Sequence, residues 1–228
     1  MAVQDFDKLN ILKRHSEPFE DYFKPMLLSP AQKKARMELA FDLEDALIIF
    51  FDYLQTMINR EMLNEVADKQ QLTYLIYDVV ADKDYFKNEE EMNKYVSDIV
   101  DETYKATVDN LAKYPNDMSY DGKSQYWVSE DRAMFIAENE ANTLLNGAEF
   151  NQAVSEGKMW KIWDVYPDDR VRPTHLEVFG ATIPIDEYFD VGEAHLLYPK
   201  DVTSEFSTGA EHPEEIIGCR CSLRYINR

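Results

Sequence analysis

The 228-residue chain is 45% hydrophobic and 13% aromatic, enough apolar material for one large domain or two small ones, which excludes a disordered chain. Its 44 acidic residues outnumber 24 basic ones for a net charge of −20, a poor balance for general nucleic-acid binding, which depends on Lys and Arg neutralising phosphates. The longest apolar run, "ALIIFF" at 46–51, is closed by charge on both sides and is too short to span a membrane.

The opening "MAVQDFDKLN" has neither the basic cap nor the apolar core of a secretory signal, so the expectation is a protein made and kept in a cytoplasm. Helix then follows helix to about residue 157. Ser29 is placed to cap a long helix with Pro30 in its first position, and Leu39, Leu43, Ala46, Phe50, Leu54 and Ile58 form its buried stripe, widened by Phe41, Ile48 and Phe51. "QQLTYLIYDVVAD" is rich in β-branched residues but reads as helix among helical neighbours. The segment 88–115 starts with acidic residues that complement a helix dipole, carries Met92, Tyr95, Val96, Ile99, Thr103 and Ala106 on one stripe, and stops at Pro115. A fourth helix opens near Ser129 with an apolar face of Ala133, Ile136, Ala137, Ala141, Leu144 and Ala148. Glu140 falls on that face, and its simplest reading is a buried or half-buried carboxylate paired with an arginine rather than a catalyst.

From Lys158 the pattern changes to short β-rich runs punctuated by Gly and Pro. "KMWKIWDVY" predicts a strand with Trp160 and Ile162 on one face and Met159, Lys161 and Trp163 on the other. "RPTHLEVFG" predicts one or two helical turns closed by Gly180, "ATIPIDEYFDVG" an extended or hairpin segment, and "CSLRYI" a closing strand. The connection 192–218 is long for a compact domain. The fold class is therefore α+β: a mostly helical N-terminal region over 1–128 with long helices, and a small C-terminal α+β domain over 129–228 with a short antiparallel sheet.

The only cysteines, Cys219 and Cys221, flank Arg220. On a strand their sulfurs would share one face while Arg220 points away, free to pair with an acid such as Asp168 or Glu140. A disulfide between them is geometrically poor. Plain burial is the default for free cysteine, and a tetrahedral zinc site is the competing reading, with His175 as third ligand and Asp168, Asp169, His195 or His212 as fourth. A Cys–His nucleophile pair lacks any marked oxyanion hole. Positive charge gathers nearby in Arg170, Arg172, His175, Arg220, Arg224 and Arg228, a basic corner on an acidic body. Such a body suits docking onto a basic protein surface, although solubility is the simpler reading.

The order of these pieces resembles the Mu-F-like phage head morphogenesis proteins, also called phage minor head or minor capsid proteins, over about residues 129–226. The matching segments are the helix with "ENEANTLLNGAEFNQAVSEG", then "KMWKIWDVYPDDRVRPTH", the Gly of "EVFG", the Pro-x-Asp of "YPKD" and the terminal "CRC". By that resemblance Glu140, Trp163, Asp168, Arg170, Arg172, His175, Gly180, Asp201, Cys219, Arg220 and Cys221 are the family positions. Two positions depart: Asn139 stands where the family has Thr, and Gly218 where it has Asn.

The resemblance implies a structural, non-enzymatic virion component, present in several copies in the phage head and in the host cytoplasm during assembly. It would contact the portal protein or the major capsid protein and support head assembly or genome delivery, with the basic C-terminal corner touching packaged DNA weakly. Two other classes stay open at this point. One is a hydrolase using Cys219 or Cys221 with His175, or a metal-activated water; the other is an acidic DNA mimic.

Overall fold

Ser29 and Gln32 start the longest helix through a reciprocal capping box: Gln32 N–H donates to Ser29 Oγ at 3.3 Å and Ser29 N–H to Gln32 Oε1 at 3.0 Å. The structure, a computed structural model, describes residues 19–113, 123–166 and 168–227. Its helices are α1 (Phe19–Phe23), α2 (Pro30–Asn59), α3 (Glu65–Val80), α4 (Glu89–Lys113), α5 (Lys123–Tyr126) and α6 (Glu130–Ser155), followed by β1 (Trp160–Asp164), α7 (Pro173–Glu177), β2 (Thr182–Pro184), β3 (Phe189–Val191), β4 (Ala194–Leu196), α8 (Pro213–Ile216) and β5 (Ser222–Ile226). The architecture is the expected α+β. Among the described residues no helix is long and apolar enough to cross a membrane.

The chain divides differently from the expected 1–128 and 129–228. One compact unit takes the described residues through Met37 together with those from Glu138 onward; the other is Glu38–Ala137. The boundaries fall inside α2 and α6, so each of these helices serves both units, which a reading that follows the chain linearly does not anticipate.

The helical unit buries Leu39, Leu43, Leu47, Phe50 and Leu54 of α2, the four-residue series Leu72, Ile76 and Val80 of α3, and Val96, Ile99 and Val100 of α4. Phe41, expected to widen the α2 stripe, is 49% exposed: the burying face runs instead through Leu47 and Phe51. Buried Asp68 ties the helices together, accepting from Tyr53 Oη at 2.8 Å, Tyr104 Oη at 3.3 Å and the Asn64 amide at 2.9 Å. Arg132 donates to Thr107 Oγ1 at 2.6 Å and Trp127 O at 2.8 Å, and its guanidinium lies 4.7 Å from the Trp127 ring.

In the other unit β1 is the centre of a three-stranded antiparallel sheet ordered β2-β1-β5, with Trp163 opposite Leu223, and β3 and β4 form a separate hairpin. The β1 face expected to hold Lys161 and Trp163 is the buried one, and both side chains are fully inaccessible. Their core includes Phe150, Val165, Phe189, Val191, Leu196, Cys219, Cys221 and Leu223. The long connection 192–218 is not structureless. Beyond β4 and α8 it is held by the buried Asp201 carboxylate, which accepts from the amides of Leu197, Thr203 and Ser204 at 3.0–3.1 Å. A carboxylate placed to satisfy three backbone donors makes a loop of this length affordable.

Candidate functional site

The segment that carries the cysteines ends before β5 begins, so Cys219 and Cys221 lie on the approach to the closing strand rather than within it. Their position is set by α6. Asn139, Asn142, Asn146 and Glu149 recur on α6 at three- and four-residue steps and so share one face. Asn142 Nδ2 donates to Cys219 O at 2.9 Å, Asn146 Nδ2 to Cys221 O at 3.3 Å and Pro199 O at 3.2 Å, and Tyr22 Oη of α1 also donates to Cys219 O at 3.3 Å. Fully buried Arg36 of α2 backs this ladder: it donates to Asn142 Oδ1 at 2.9 Å and Asn146 Oδ1 at 3.0 Å, and makes two bonds to Glu149 at 2.6 and 3.0 Å.

Asn139 meets the other departure from the family pattern. Its Oδ1 accepts from the Gly218 amide at 3.0 Å and also from Lys200 Nζ. Gly218 has φ of +67°, a left-handed conformation that Gly adopts without the steric penalty a side chain brings. The two departures thus touch each other.

Three groups converge beside this ladder. Pro173 opens the one-turn helix α7, which directs His175 inward; His175 Nδ1 lies 3.2 Å from Cys221 Sγ and 3.6 Å from Cys219 Sγ. On the other side of the ring, Nε2 is 3.1 Å from Glu215 Oε2, which also accepts from Thr174 Oγ1 at 2.8 Å. The Cys221 amide donates to Cys219 Sγ at 3.4 Å. His175 and Cys219 are each 2% exposed and Cys221 3%.

Burial opposes charge on all three groups, and the neighbours decide the outcome. Cys219 is nevertheless held well below the ordinary thiol range by Cys221, His175 and Arg172. Burial and the adjacent Cys219 push Cys221 well above it. His175 is raised because Cys219 and Glu215 outweigh its burial. Chemically this is a buried sulfur–imidazole–carboxylate set, able to hold a thiophilic cation or a thiolate–imidazolium pair.

The other candidate residues fall elsewhere. Asp168 does not join the three: Arg220 grips it with two bonds of 2.7 and 2.9 Å, and Arg170 adds a 3.7 Å contact. Burial alone would raise the Asp168 carboxyl, but these guanidinium contacts leave it below the usual range. His195 pairs with Asp190 at 2.7 Å and His212 with Glu214 at 3.0 Å, so neither of these two expected fourth ligands reaches the cluster. Glu140 is half-buried, and Asn139 Nδ2 donates to its Oε1 at 3.0 Å. Trp163 sets its ring edge-on to His175 with centroids 6.0 Å apart. Gly180 ends the α7 turn, donating its amide to Trp163 O at 2.8 Å, and Arg172 reaches Ile217 O.

Arg224 pairs with buried Asp164, so three arginines of the expected basic corner are matched by internal carboxylates. Arg228 lies outside the described residues. An open groove of about 590 Å3 lined by Phe150, Val154, Ile185, Tyr188, Leu197 and Phe206 includes none of the His–Cys groups.

Glu215, Asn142, Asn146 and Arg36 are absent from the expected site. The asparagines left a legible signal, a polar stripe at helical spacing inside an apolar helix, whereas Glu215 stands in an acidic pair, Glu214–Glu215, that reads as a solvated turn.

Compared with known proteins, residues 87–224 match the family model described as Phage Mu protein F like protein. No curated protein and no solved structure shows significant similarity to the chain.

Proposed function

Because the chain belongs to the Phage Mu protein F like family, a family of phage head morphogenesis, we propose that it is a minor capsid protein seated at the portal vertex. In this reading it assembles in the host cytoplasm and enters the head in several copies. The helical unit contacts the portal or major capsid protein, while the C-terminal unit serves as a rigid platform that supports assembly or genome delivery. The observation that carries the proposal is the extent of the family match, which runs from just before α4 to β5 and so takes in helical and sheet-bearing segments alike.

Catalysis is not part of the reading. A hydrolase built on Cys219, Cys221 and His175 needs substrate to reach them, and the three are 2–3% exposed. DNA contact is left out too, since Arg170, Arg220 and Arg224 spend their charge on Asp168 and Asp164.

The test is to delete the gene from the phage that encodes it and compare purified particles by mass spectrometry and plaque assay. The expected result is that wild-type heads contain the protein at low copy, that it co-purifies with portal when the two are co-expressed, and that the deletion yields defective heads. Wild-type infectivity from particles that never contained the protein would overturn the proposal.

A further inference from the structure

We propose that His175 Nδ1, Cys219 Sγ and Cys221 Sγ form a binding site for zinc, with Glu215 orienting the imidazole from its outer nitrogen. The three donor atoms lie within 4.8 Å of one another. With metal–sulfur bonds of about 2.3 Å and metal–nitrogen bonds of about 2.0–2.1 Å, a tetrahedral ion spaces its sulfur and nitrogen ligands about 3.6 Å apart. The nitrogen-to-sulfur separations here are 3.2 and 3.6 Å.

The surroundings are those of a ligand set rather than of two packed thiols. Glu215 accepts a hydrogen bond at Nε2, which places the ring proton there and leaves the Nδ1 lone pair facing the sulfurs. Thr174 holds the same carboxylate oxygen. A pair of cysteines buried only for packing gives no reason to bring a carboxylate, 7% exposed, against the third member of the cluster. Backbone is committed as well: Gly192, at φ +60°, passes so close to Glu215 that a Cβ there would clash with its carboxylate.

Two thiolates and an imidazole suit zinc better than a hard cation such as calcium or magnesium. The three side chains leave the fourth tetrahedral position to a water. The site stands on these residues alone and is independent of where the protein sits in the virion.

The experiment uses the full chain, purified under reducing conditions without chelator, for metal analysis. It is then stripped with a chelator and titrated with zinc sulfate while thermal unfolding is followed, and in parallel with cobalt chloride while the thiolate-to-cobalt charge-transfer absorption is recorded. The expected result is about one zinc per chain, consistent with a single three-ligand set; a melting temperature that falls on stripping and recovers with zinc; and a cobalt band that saturates at equimolar metal. Cys219→Ser, which leaves Cys221 as the one thiolate, should weaken the band, and the double variant Cys219→Ser/Cys221→Ser should abolish it. Glu215→Gln, which keeps all three ligands, should retain the fold by circular dichroism and weaken zinc binding by about 10–100-fold. Stripped wild-type protein that shows neither a zinc-dependent rise in melting temperature nor a cobalt–thiolate band would overturn the proposal, however the variants behave.

Discussion

At Gly192 the backbone takes φ +60° and passes against Glu215 and Thr174, and both features disfavour a side chain. Gly192→Ala should therefore destabilise the protein by about 1–3 kcal/mol, measured by urea unfolding, with the left-handed strain and the displaced carboxylate both contributing. An unchanged midpoint would show that Glu215 moves aside freely. Lys161 poses a different residue-scale problem. Its Nζ donates to Ile185 O at 2.9 Å and Leu197 O at 2.7 Å beneath the Phe150 and Phe189 rings, and burial, outweighing Asp201, Asp186 and Glu187, pulls its pKa down to about 7. The unfolded chain keeps that proton up to about pH 10.4, so between about pH 7 and that point it binds more protons than the folded chain. Stability contributed by this site therefore rises with pH across the window, by at most about 1.4 kcal/mol per unit, and is lowest below pH 7, where the folded state must carry the charge. Lys161→Met should remove this slope. The check is the wild-type minus variant difference in unfolding free energy, followed from about pH 6.5 to about pH 9.5; a flat difference would mean the amine is solvated.

At the scale of elements, the closing segment is held to α6 by side chains rather than by strand pairing. Asn142→Ala leaves Cys219 O short of a donor and Arg36 short of an acceptor, and should cost about 1–3 kcal/mol. Arg36→Ala strands Glu149 and both asparagines, and should cost about 3–5 kcal/mol, as expected when one partner of a buried ion pair is lost. Because the two residues share one network, the double variant should fall short of the sum, with a coupling of about 0.5–3 kcal/mol in a double-mutant cycle. Strict additivity would show that the ladder does not act as a unit. The cycle also bears on how α1, α2 and α6 come to serve the C-terminal unit, since Tyr22, Arg36 and Asn142 all end on Cys219 or its supports.

At the scale of the molecule, a net charge of −20 sets the response to salt. Self-repulsion among unpaired carboxylates destabilises the folded chain, and salt screens it; the internal pairs Asp168–Arg220 and Asp164–Arg224 are screened less because they are partly buried. The melting temperature should therefore rise as sodium chloride is raised from low concentration to about 0.15 M, where the screening length is about 8 Å. A fall would show that surface ion pairs outweigh the net repulsion. For the same reason duplex DNA should not be retarded by the protein in a gel-shift assay at that ionic strength. A retarded band would return the C-terminal arginines to consideration as a DNA contact.

The sequence by itself determined the long helices, the change to short strands after Lys158 and the family, because each is written in local periodicity, capping residues or the order of motifs along the chain, whereas which face of β1 is buried came from the structure. Ser29, Pro30 and the Leu39–Leu54 stripe are legible in this sense: their effect is felt within a few residues. The tertiary structure decided what lies far apart in the chain. It brought Glu215 to His175 across 40 residues and Asn142 to Cys219 across 77, and of the two acids the sequence offered to Arg220 it supplied Asp168, across 52. It also moved the cysteines off the strand and drew the compact units across α2 and α6 instead of between segments. Side-chain hydrogen bonds and buried charge pairs carry no periodic signature; which donor meets which acceptor depends on where the backbone has already been folded.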